Sequence, residues 1–436
     1  MNTQKLRYFF YIDTSNQMYH PMVRYLVFLA FACLFFSCES KVFIESKNKV
    51  ETPCSIGGEP NLFKSQSGEL YLSWIEYKND TLSALMYATW VEDGWSPGRE
   101  IAKGTDWFVN WADFPAMAVG GENDQHMAAH WLAKSDSGTF DYDVVLSQSF
   151  DGGQSWSAGE VVHKDSVHAE HGFVSIQYLQ EGGFAMCWLD GRNTVSEDHE
   201  EAKEDSHSHG HHGSMSLRYT KINSDGVIEP SVELDHKVCD CCQTDMAVSP
   251  SGPIVVYRDR SDKEIRDIYI TRSVDGIWYE PKAVYQDNWE IAGCPVNGPS
   301  IATSGENLVV FWYTMSDGNP ILRYALSDDL GETFDKAIKL KSENPLGRVD
   351  VKFIDQKNAL LVWMEQLASD KTVIKAAILN LDHGLVKDDV LVETDSNRNS
   401  GFPKIVVQEN RLYLAWTNVT TAESEYVETA VFELNL

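Results

Sequence analysis

Three cysteines crowd into residues 237–245, which read KVCDCCQTD. They are Cys239, Cys241 and Cys242, and thiols this close together can form disulfides, bind a soft metal ion or act as a reactive site. A disulfide between the adjacent Cys241 and Cys242 is strained, so we expect at least one of them to pair elsewhere, bind a metal or stay free. The spacing differs from that of a zinc ribbon and leaves all three chemistries open.

Two other stretches, WLDGR and YRDRS, place arginines beside aspartates directly after short apolar runs. A guanidinium group offers planar paired donors that match a carboxylate, so these arginines are candidates for binding an acidic ligand. The candidate set is Arg192, Arg258, Arg260 and Arg348. The alternative is that these arginines form scaffold ion pairs with neighbouring aspartates.

The N-terminal segment predicts export. Residues 22–40 read MVRYLVFLAFACLFFSCES, with Arg24 ahead of an apolar run at residues 25–37 that is too short to span a bilayer. The run ends at Cys38 and resembles a bacterial lipoprotein signal, in which Cys38 is the lipidated residue; a plain secretory signal is the alternative. We therefore expect a membrane-anchored lipoprotein of a bacterial cell envelope, in the periplasm or on the outer surface. Six cysteines remain beyond this segment, and their pairing is open.

The charge of the chain limits its partners. The 436 residues carry a formal net charge of -29. A chain this acidic repels nucleic acid and anionic lipid headgroups, so neither is an expected partner. We expect a monomer whose ligand is a glycan or another small acidic molecule.

A repeat organises the elements that must position these residues. Short apolar strands end in an aromatic residue at intervals of roughly 50 to 70 residues. These aromatic residues are Trp74, Trp131, Trp188, Tyr257, Trp312, Trp363 and Trp416. Another short strand precedes each of them, and an alternating strand follows, with Gly, Asp and Asn between. No segment of useful length has a helical period.

This pattern predicts an all-β chain that forms a single β-propeller of four-stranded blades. Seven blades fit the repeat best, and six remain possible if a terminal unit is not a true blade. The predicted organisation is a signal segment at residues 1–38, a linker with a closing strand at 39–58, and the propeller at 59–436. The closing strand is expected at residues 41–46, where it would supply the outer strand that the last unit lacks.

The turn after the third strand carries a second motif. Residues 149–156 read SFDGGQSW and residues 327–334 read SDDLGETF, with a shorter version, SVDGIW, at 273–278. These match the Asp-box, in which an aspartate accepts bonds from its own turn and glycine takes a positive φ. The chain therefore resembles the sialidase superfamily of Asp-box (BNR-repeat) propellers over residues 59–436. The resemblance is specific for fold and weak for reaction, and it implies no direct catalytic role for the Asp-boxes.

In a propeller, the loops into first strands and the turns out of second strands share one face. This face is expected to gather the cysteines, the arginines and several acidic side chains around a central mouth. Concave faces with convergent polar groups are the usual location of ligand sites. We therefore predict that the ligand site lies there.

The resemblance implies a glycan site as one interpretation of this mouth. Sialidases bind the substrate carboxylate with three arginines and use a tyrosine nucleophile with a glutamate base and an aspartate acid. Here Tyr313 would be the nucleophile, Glu365 its base, and Asp113 or Asp106 the acid. The first unit lacks the Arg-Ile-Pro motif that opens sialidases, and seven blades exceed their six. An exo-glycosidase and a non-catalytic recognition module therefore both remain open.

A metal or redox site is the other interpretation. Soft sulfur and nitrogen ligands for copper or zinc would come from Cys239, Cys241, Cys242, Cys294, His168 and His171. In an exported chain we expect these cysteines to shape the mouth through disulfides that tie neighbouring blades, and the metal site is the alternative. The histidine-rich insertion at residues 195–213 could hold further ions, although its composition also fits a solvated loop.

Overall fold

The computed structural model describes residues 43–195, 213–368, 371–419 and 424–435. These residues fold into seven antiparallel sheets, and one short 3-10 turn, Glu122–Asp124, lies among the strands. The predicted lipidation site Cys38 and residues 196–212 of the histidine-rich insertion lie outside the described residues. Within the described part, no helix is both long and apolar enough to cross a membrane.

The strands run in chain order through the blades. The first strand, β1 (Ile44–Val50), precedes the first blade. Blade 1 contains β2 (Gly57–Lys64), β3 (Leu70–Tyr77), β4 (Ser83–Val91), β5 (Gly94–Trp95) and β6 (Arg99–Gly104). Blade 2 contains β7 (Met117–Gly120), β8 (His126–Lys134), β9 (Tyr142–Ser149) and β10 (Glu160–Val161). Blade 3 contains β11 (His171–Tyr178), β12 (Phe184–Asp190), β13 (Met215–Ile222) and β14 (Val232–Val238).

The remaining blades repeat this plan. Blade 4 contains β15 (Asp245–Ser249), β16 (Gly252–Arg258), β17 (Ile268–Val274), β18 (Ile277–Trp278) and β19 (Lys282–Ala283). Blade 5 contains β20 (Ser300–Ser304), β21 (Asn307–Thr314), β22 (Ile321–Ser327) and β23 (Ile338–Leu340). Blade 6 contains β24 (Pro345–Phe353), β25 (Asn358–Gln366), β26 (Thr372–Asn380) and β27 (Gly384–Thr394). Blade 7 contains β28 (Gly401–Gln408), β29 (Arg411–Val419) and β30 (Glu425–Leu434).

The innermost strands close a ring. Strands β2, β7, β11, β15, β20, β24 and β28 contact one another in that order, and β28 returns to β2. The prediction of a seven-bladed, all-β propeller is confirmed, and the six-bladed alternative is wrong. The outer strand of blade 7 is β1, which pairs antiparallel with β30 from Ile44 opposite Leu434 to Val50 opposite Thr429.

The core lies between the blades. Seven hydrophobic clusters join side chains of neighbouring sheets, and together they cover every blade junction. The strand-ending tryptophans Trp188 and Trp363 are fully buried in these clusters. Their indole N–H groups donate to Asp190 and Glu365, both at 2.8 Å. A carboxylate two residues after a buried tryptophan is therefore held in place by that indole.

The Asp-box turns have the predicted geometry. In blade 5, Asp329 accepts bonds from the Ser327 hydroxyl at 2.7 Å and from the Thr333 N–H and hydroxyl at 2.8 and 2.6 Å. Asp151 is bonded in the same way in blade 2. Both turns follow the third strand, so they lie at the end of the ring opposite the entries to the innermost strands.

Candidate functional site

Four innermost strands begin with a bulge at the predicted mouth. The bulged residues are Glu59, Phe173, Arg348 and Phe402, each with φ between 50° and 53° and each preceded by glycine. The register shifts at each bulge. Non-glycine residues with positive φ are uncommon, and such strain concentrates at functional sites. Four of the innermost strands therefore carry backbone strain where they enter the ring at the mouth.

Aromatic side chains fill the centre of the mouth. This aromatic plug consists of Trp111, Phe114, Phe173 and Phe402, which pack in one cluster. The Phe402 ring lies 4.9 Å from Phe114 and 5.7 Å from Trp111, centroid to centroid. A small cavity of about 90 Å³ lies among the innermost strands beneath it. Because small-molecule pockets usually measure 300–1,000 Å³, a sugar that binds at the mouth would lie above the plug.

The Tyr142 hydroxyl lies between two carboxyl groups beside this plug. It is 2.9 Å from Glu170 Oε1 and 3.2 Å from Asp113 Oδ2, and Asp113 also accepts the Phe173 N–H at 2.8 Å. We call Asp113, Tyr142 and Glu170 the Tyr142 cluster. A Cβ on Gly172 would stand 2.0 Å from Asp113 Oδ2, so the approach of that carboxyl requires glycine there.

Burial changes the protonation of this cluster. Loss of water raises the pKa of Asp113 to about 7 and that of Glu170 to about 8. The pKa of Tyr142 rises well above its usual value for the same reason, and the two carboxyls add to the effect. One phenol proton cannot satisfy two carboxylates at once, so a neutral carboxyl is favoured near pH 7. Glu170 is the member of the cluster that reaches solvent.

A second phenol repeats the arrangement at the junction of blades 1 and 7. The Tyr77 hydroxyl lies 3.0 Å from Glu59 Oε2 and 2.9 Å from Glu425 Oε2. Burial, then the charge of Glu425, raises the pKa of Glu59 to about 8. Here the bulged residue of the innermost strand is itself the buried carboxyl.

Two stacked histidines stand behind Glu170 in blade 3. The rings of His163 and His171 are 3.7 Å apart and nearly parallel. His163 Nδ1 lies 2.9 Å from Asp165, and His171 Nε2 lies 3.6 and 3.7 Å from Asp165 and Asp190. Burial alone would lower the pKa of His171. The hydrogen bond to Asp165 and the negative charges of the nearby carboxylates outweigh burial and hold this pKa above its usual value. His171 is therefore part of an Asp–His network, apart from the cysteines with which it was grouped.

The four candidate arginines occupy different settings. Arg258 is fully buried, and its guanidinium nitrogens donate to the backbone carbonyls of Arg266, Asn297 and Tyr313 at 2.7 to 3.2 Å. It also stacks 4.9 Å from the Trp289 ring. Arg258 therefore connects blades 4 and 5 through hydrogen bonds to their backbones, and its guanidinium group is turned towards these carbonyls and not towards a ligand.

Arg348 has a comparable role at the aromatic plug. It donates to the carbonyls of Arg398 and Ser400 and stacks 4.7 Å from Phe402. Burial, then the charge of Arg398, lowers the pKa of Arg348 to about 10. Its position supports the plug.

Arg192 and Arg260 keep partly exposed guanidinium groups at the mouth. Arg192 pairs with Asp190 at 2.6 Å and Asp165 at 2.9 Å. Its neighbour Gly191 donates its N–H to the Glu170 carbonyl at 2.8 Å, which places Arg192 close to that residue. Arg260 pairs with Asp240 at 3.1 Å, and the charge of Asp240 in turn acts on Glu170.

Arg260 is thus the second arginine on the Glu170 side of the mouth. The two arginines come from the turns after the second strands of blades 3 and 4.

The predicted nucleophile and base are not brought together. The Tyr313 ring packs 6.0 Å from Trp289, and burial raises the pKa of its phenol. Glu365 instead accepts bonds from the Trp363 indole and the Ser342 hydroxyl. Among the described residues no hydrogen bond or ion pair joins Tyr313 to Glu365. The tyrosine–glutamate contact that the structure does form at the mouth is Tyr142–Glu170.

Comparison with solved structures supports the architecture. The chain is similar to the lectin BP39L from Burkholderia pseudomallei, with a TM-score of 0.57 at 9% identity over 85% of this chain and 95% of that one. It is also similar to a polysaccharide lyase of family PL25, an ulvan lyase (TM-score 0.53, 12% identity, 89% and 94% coverage). A protein of unknown function from Dyadobacter fermentans DSM 18053 matches with a TM-score of 0.50 at 13% identity over 90% and 99%.

The fold is that of a seven-bladed β-propeller. At these identities the likeness concerns the fold alone. No protein-family model matches the chain, and no curated protein matches it.

Cys54 and Cys187 lie outside the closely spaced group of Cys239, Cys241 and Cys242. Cys54 and Cys187 pack in different interblade clusters. The sulfurs of Cys239, Cys241 and Cys242 lie within 4.8 Å of one another before β15. All six cysteines of the described residues carry free thiols, so the predicted disulfides are not formed in this structure. His168 is exposed.

Sequence reasoning missed Tyr142 and the contact of Glu170 with it. The two residues come from neighbouring blades, and neither sits in a conspicuous motif. The available signal was Gly172, which directly follows Glu170 and His171 at the start of an innermost strand. A glycine there permits the close approach of Asp113, but the sequence does not show from which blade the approaching group comes.

Proposed function

We propose that this propeller binds a glycan above the aromatic plug and cleaves a glycosidic bond with Glu170 as the acid. The observation that carries the proposal is the Tyr142 cluster, in which a solvent-reaching carboxyl has a pKa of about 8. A carboxyl that is still protonated at neutral pH can donate its proton to the leaving oxygen of a sugar. Tyr142 and Asp113 act through Glu170 and are positioning residues.

Asp113 is buried behind the same phenol oxygen, so it positions Glu170 through Tyr142 and does not itself reach a sugar. Arg192 and Arg260 lie at the same mouth and offer partly exposed donors to sugar hydroxyl or carboxylate groups. The lectin and the polysaccharide lyase among the similar structures are consistent with a glycan ligand.

The first test combines binding and cleavage on a panel of neutral and acidic glycans. We expect Glu170→Gln to lower the cleavage rate about 100-fold or more, because glutamine cannot donate the acidic proton. Glycan binding should be kept, because glutamine has nearly the same size and shape as glutamate. Activity of the parent should fall as pH rises through about 8, where Glu170 loses its proton. In Tyr142→Phe this fall in activity should occur at a higher pH, because the Tyr142 hydrogen bond lowers the pKa of Glu170 in the parent.

Tyr77→Phe is the matched control, because Tyr77 also lies between two carboxyls but outside the Tyr142 cluster. It should leave the rate and its pH profile unchanged. An unchanged cleavage rate in Glu170→Gln would overturn the assignment of the acid.

A recognition module is the second candidate function, and the aromatic plug favours it. The plug closes the centre of the mouth, and a shallow surface suits capture of a polymer more than enclosure of one sugar. If the parent protein binds glycans of the panel and cleaves none of them, the recognition module is the correct function.

We further propose that the protein works outside the cytoplasm, attached to a membrane through Cys38. The support is the sequence alone: Arg24, the apolar run at residues 25–37 and the cysteine that ends it. Cys38→Ser should move the exported protein from the membrane fraction to the soluble fraction. Unchanged membrane association of this variant would contradict the lipid anchor.

A further inference from the structure

Four thiols converge where the chain enters blades 4 and 5. The sulfurs of Cys239, Cys241 and Cys242 are mutually within 4.8 Å, and those of Cys239 and Cys242 are 3.4 Å apart. The thiol of Cys294, from the loop that precedes β20, lies beside that of Cys241. Cys239 and Cys242 are buried, Cys241 is partly buried and Cys294 is exposed. The group therefore has a closed inner side and one ligand on the solvent side.

We propose that Cys239, Cys241, Cys242 and Cys294 bind one thiophilic metal ion, Zn²⁺ or Cu(I). With metal–sulfur bonds of about 2.3 Å, sulfurs around a tetrahedral Zn²⁺ lie about 3.8 Å apart, a spacing that the sulfurs of Cys239, Cys241 and Cys242 already approach. Cys294 would complete the set from its position beside Cys241. Thiolate ligands select soft or borderline ions over Mg²⁺ and Ca²⁺. The two histidines that the sequence suggested are not needed for this set.

One buried cation faces the thiols. Arg266 is buried, and its Nη1 donates to the Cys239 sulfur at 3.2 Å. A guanidinium group beside thiolate ligands offsets part of the negative charge that remains after a mono- or divalent cation binds. Such outer contacts orient metal ligands and tune their basicity.

A disulfide explains this group less well. One bond uses two sulfurs and leaves two buried or half-buried thiols beside it, whereas one ion uses all four. Metal binding needs no oxidant, since the thiols only release their protons.

The bound ion would connect the loops that lead into blades 4 and 5, at the rim of the mouth. Three ligands precede β15 of blade 4, and the fourth precedes β20 of blade 5. Asp240, between Cys239 and Cys241, pairs with Arg260, so the bound ion would fix the arginine that flanks Glu170. This inference stands without the proposed glycan activity, because none of the four thiols belongs to the Tyr142 cluster.

The test uses the full chain, exported and purified without chelator, with metal content measured by elemental mass spectrometry. We expect about one zinc or copper ion per chain, and a thiolate-to-metal absorption band when Cd²⁺ replaces it. Cys241→Ser with Cys242→Ser should abolish both signals. Cys294→Ser removes only the exposed ligand, so the chain should still fold and should lose the ion to chelator at least about tenfold more readily.

Cys54→Ser is the control, because Cys54 packs in another interblade cluster. It should keep the full metal content. A metal-free parent with Cys239 and Cys242 in a disulfide by peptide mapping would overturn the proposal. Full metal content in the Cys241/Cys242 double variant would overturn it as well.

Discussion

Replacing Arg258 by alanine is expected to lower the free energy of unfolding by about 3–5 kcal/mol. The side chain is 2% exposed, and its guanidinium donates to three backbone carbonyls from two neighbouring blades. Alanine would leave these acceptors unpaired in a dry interior and would remove the contact with the Trp289 ring. Denaturant unfolding followed by tryptophan fluorescence measures the change.

Arg260→Ala is the matched control from the same turn. Its guanidinium pairs with Asp240 and Glu264 at the surface, so we expect a loss of about 1 kcal/mol or less. The pair of variants separates a structural arginine from a ligand arginine. If Arg258→Ala kept its stability and lost glycan binding, Arg258 would be the carboxylate-binding group that the sequence suggested.

The fold could be predicted because its signals are local and repeated. The Asp-box turns at residues 149–156 and 327–334 specify their own geometry through an aspartate and glycines with positive φ. The strand-ending tryptophans recur because each blade must bury one large side chain against its neighbour. Neither signal depends on how distant parts of the chain meet, so each can be read without knowledge of the ring.

The site was harder to predict because the same residue types build scaffold and function. Sequence position places Arg258, Arg348 and Glu365 near the mouth, but it does not show which way a side chain points. Buried carbonyls at the bulged strands need donors, and arginine supplies them across a blade junction. Glu365 is held by an indole two residues earlier, a local contact that the Trp-x-Glu spacing could have revealed.

The metal ligands illustrate the same limit. The sequence grouped His171 with the cysteines because both precede innermost strands of adjacent blades. In the structure the imidazole turns towards Asp165 and Asp190, because buried carboxylates of its own blade need a partner. The cysteines turn towards each other. Loop entry points predict a shared face, whereas contacts within that face depend on charge compensation across several blades.

Stability should fall as the pH rises from about 5 to 8. Glu59 is buried with a pKa of about 8, whereas an unfolded glutamate titrates near 4.3. Between these values the folded state holds a proton that the unfolded state has released, so rising pH favours unfolding. The full shift would correspond to about 5 kcal/mol, and the effective dielectric constant of about 20 that describes buried charges in proteins should reduce this to about 1–3 kcal/mol. Urea unfolding at a series of pH values measures the slope.

Glu59→Gln tests the origin of this slope, because glutamine keeps the shape and cannot ionise. The variant should be more stable than the parent at pH 8 and should show a shallower fall between pH 5 and 8. Asp113 and Glu170, whose pKa values burial also raises, would account for the slope that remains. Glu306→Gln, at an exposed position, should leave the pH dependence of the parent intact. A Glu59→Gln curve parallel to that of the parent would mean that Glu59 is already ionised in the folded propeller, with Tyr77 donating its proton to it.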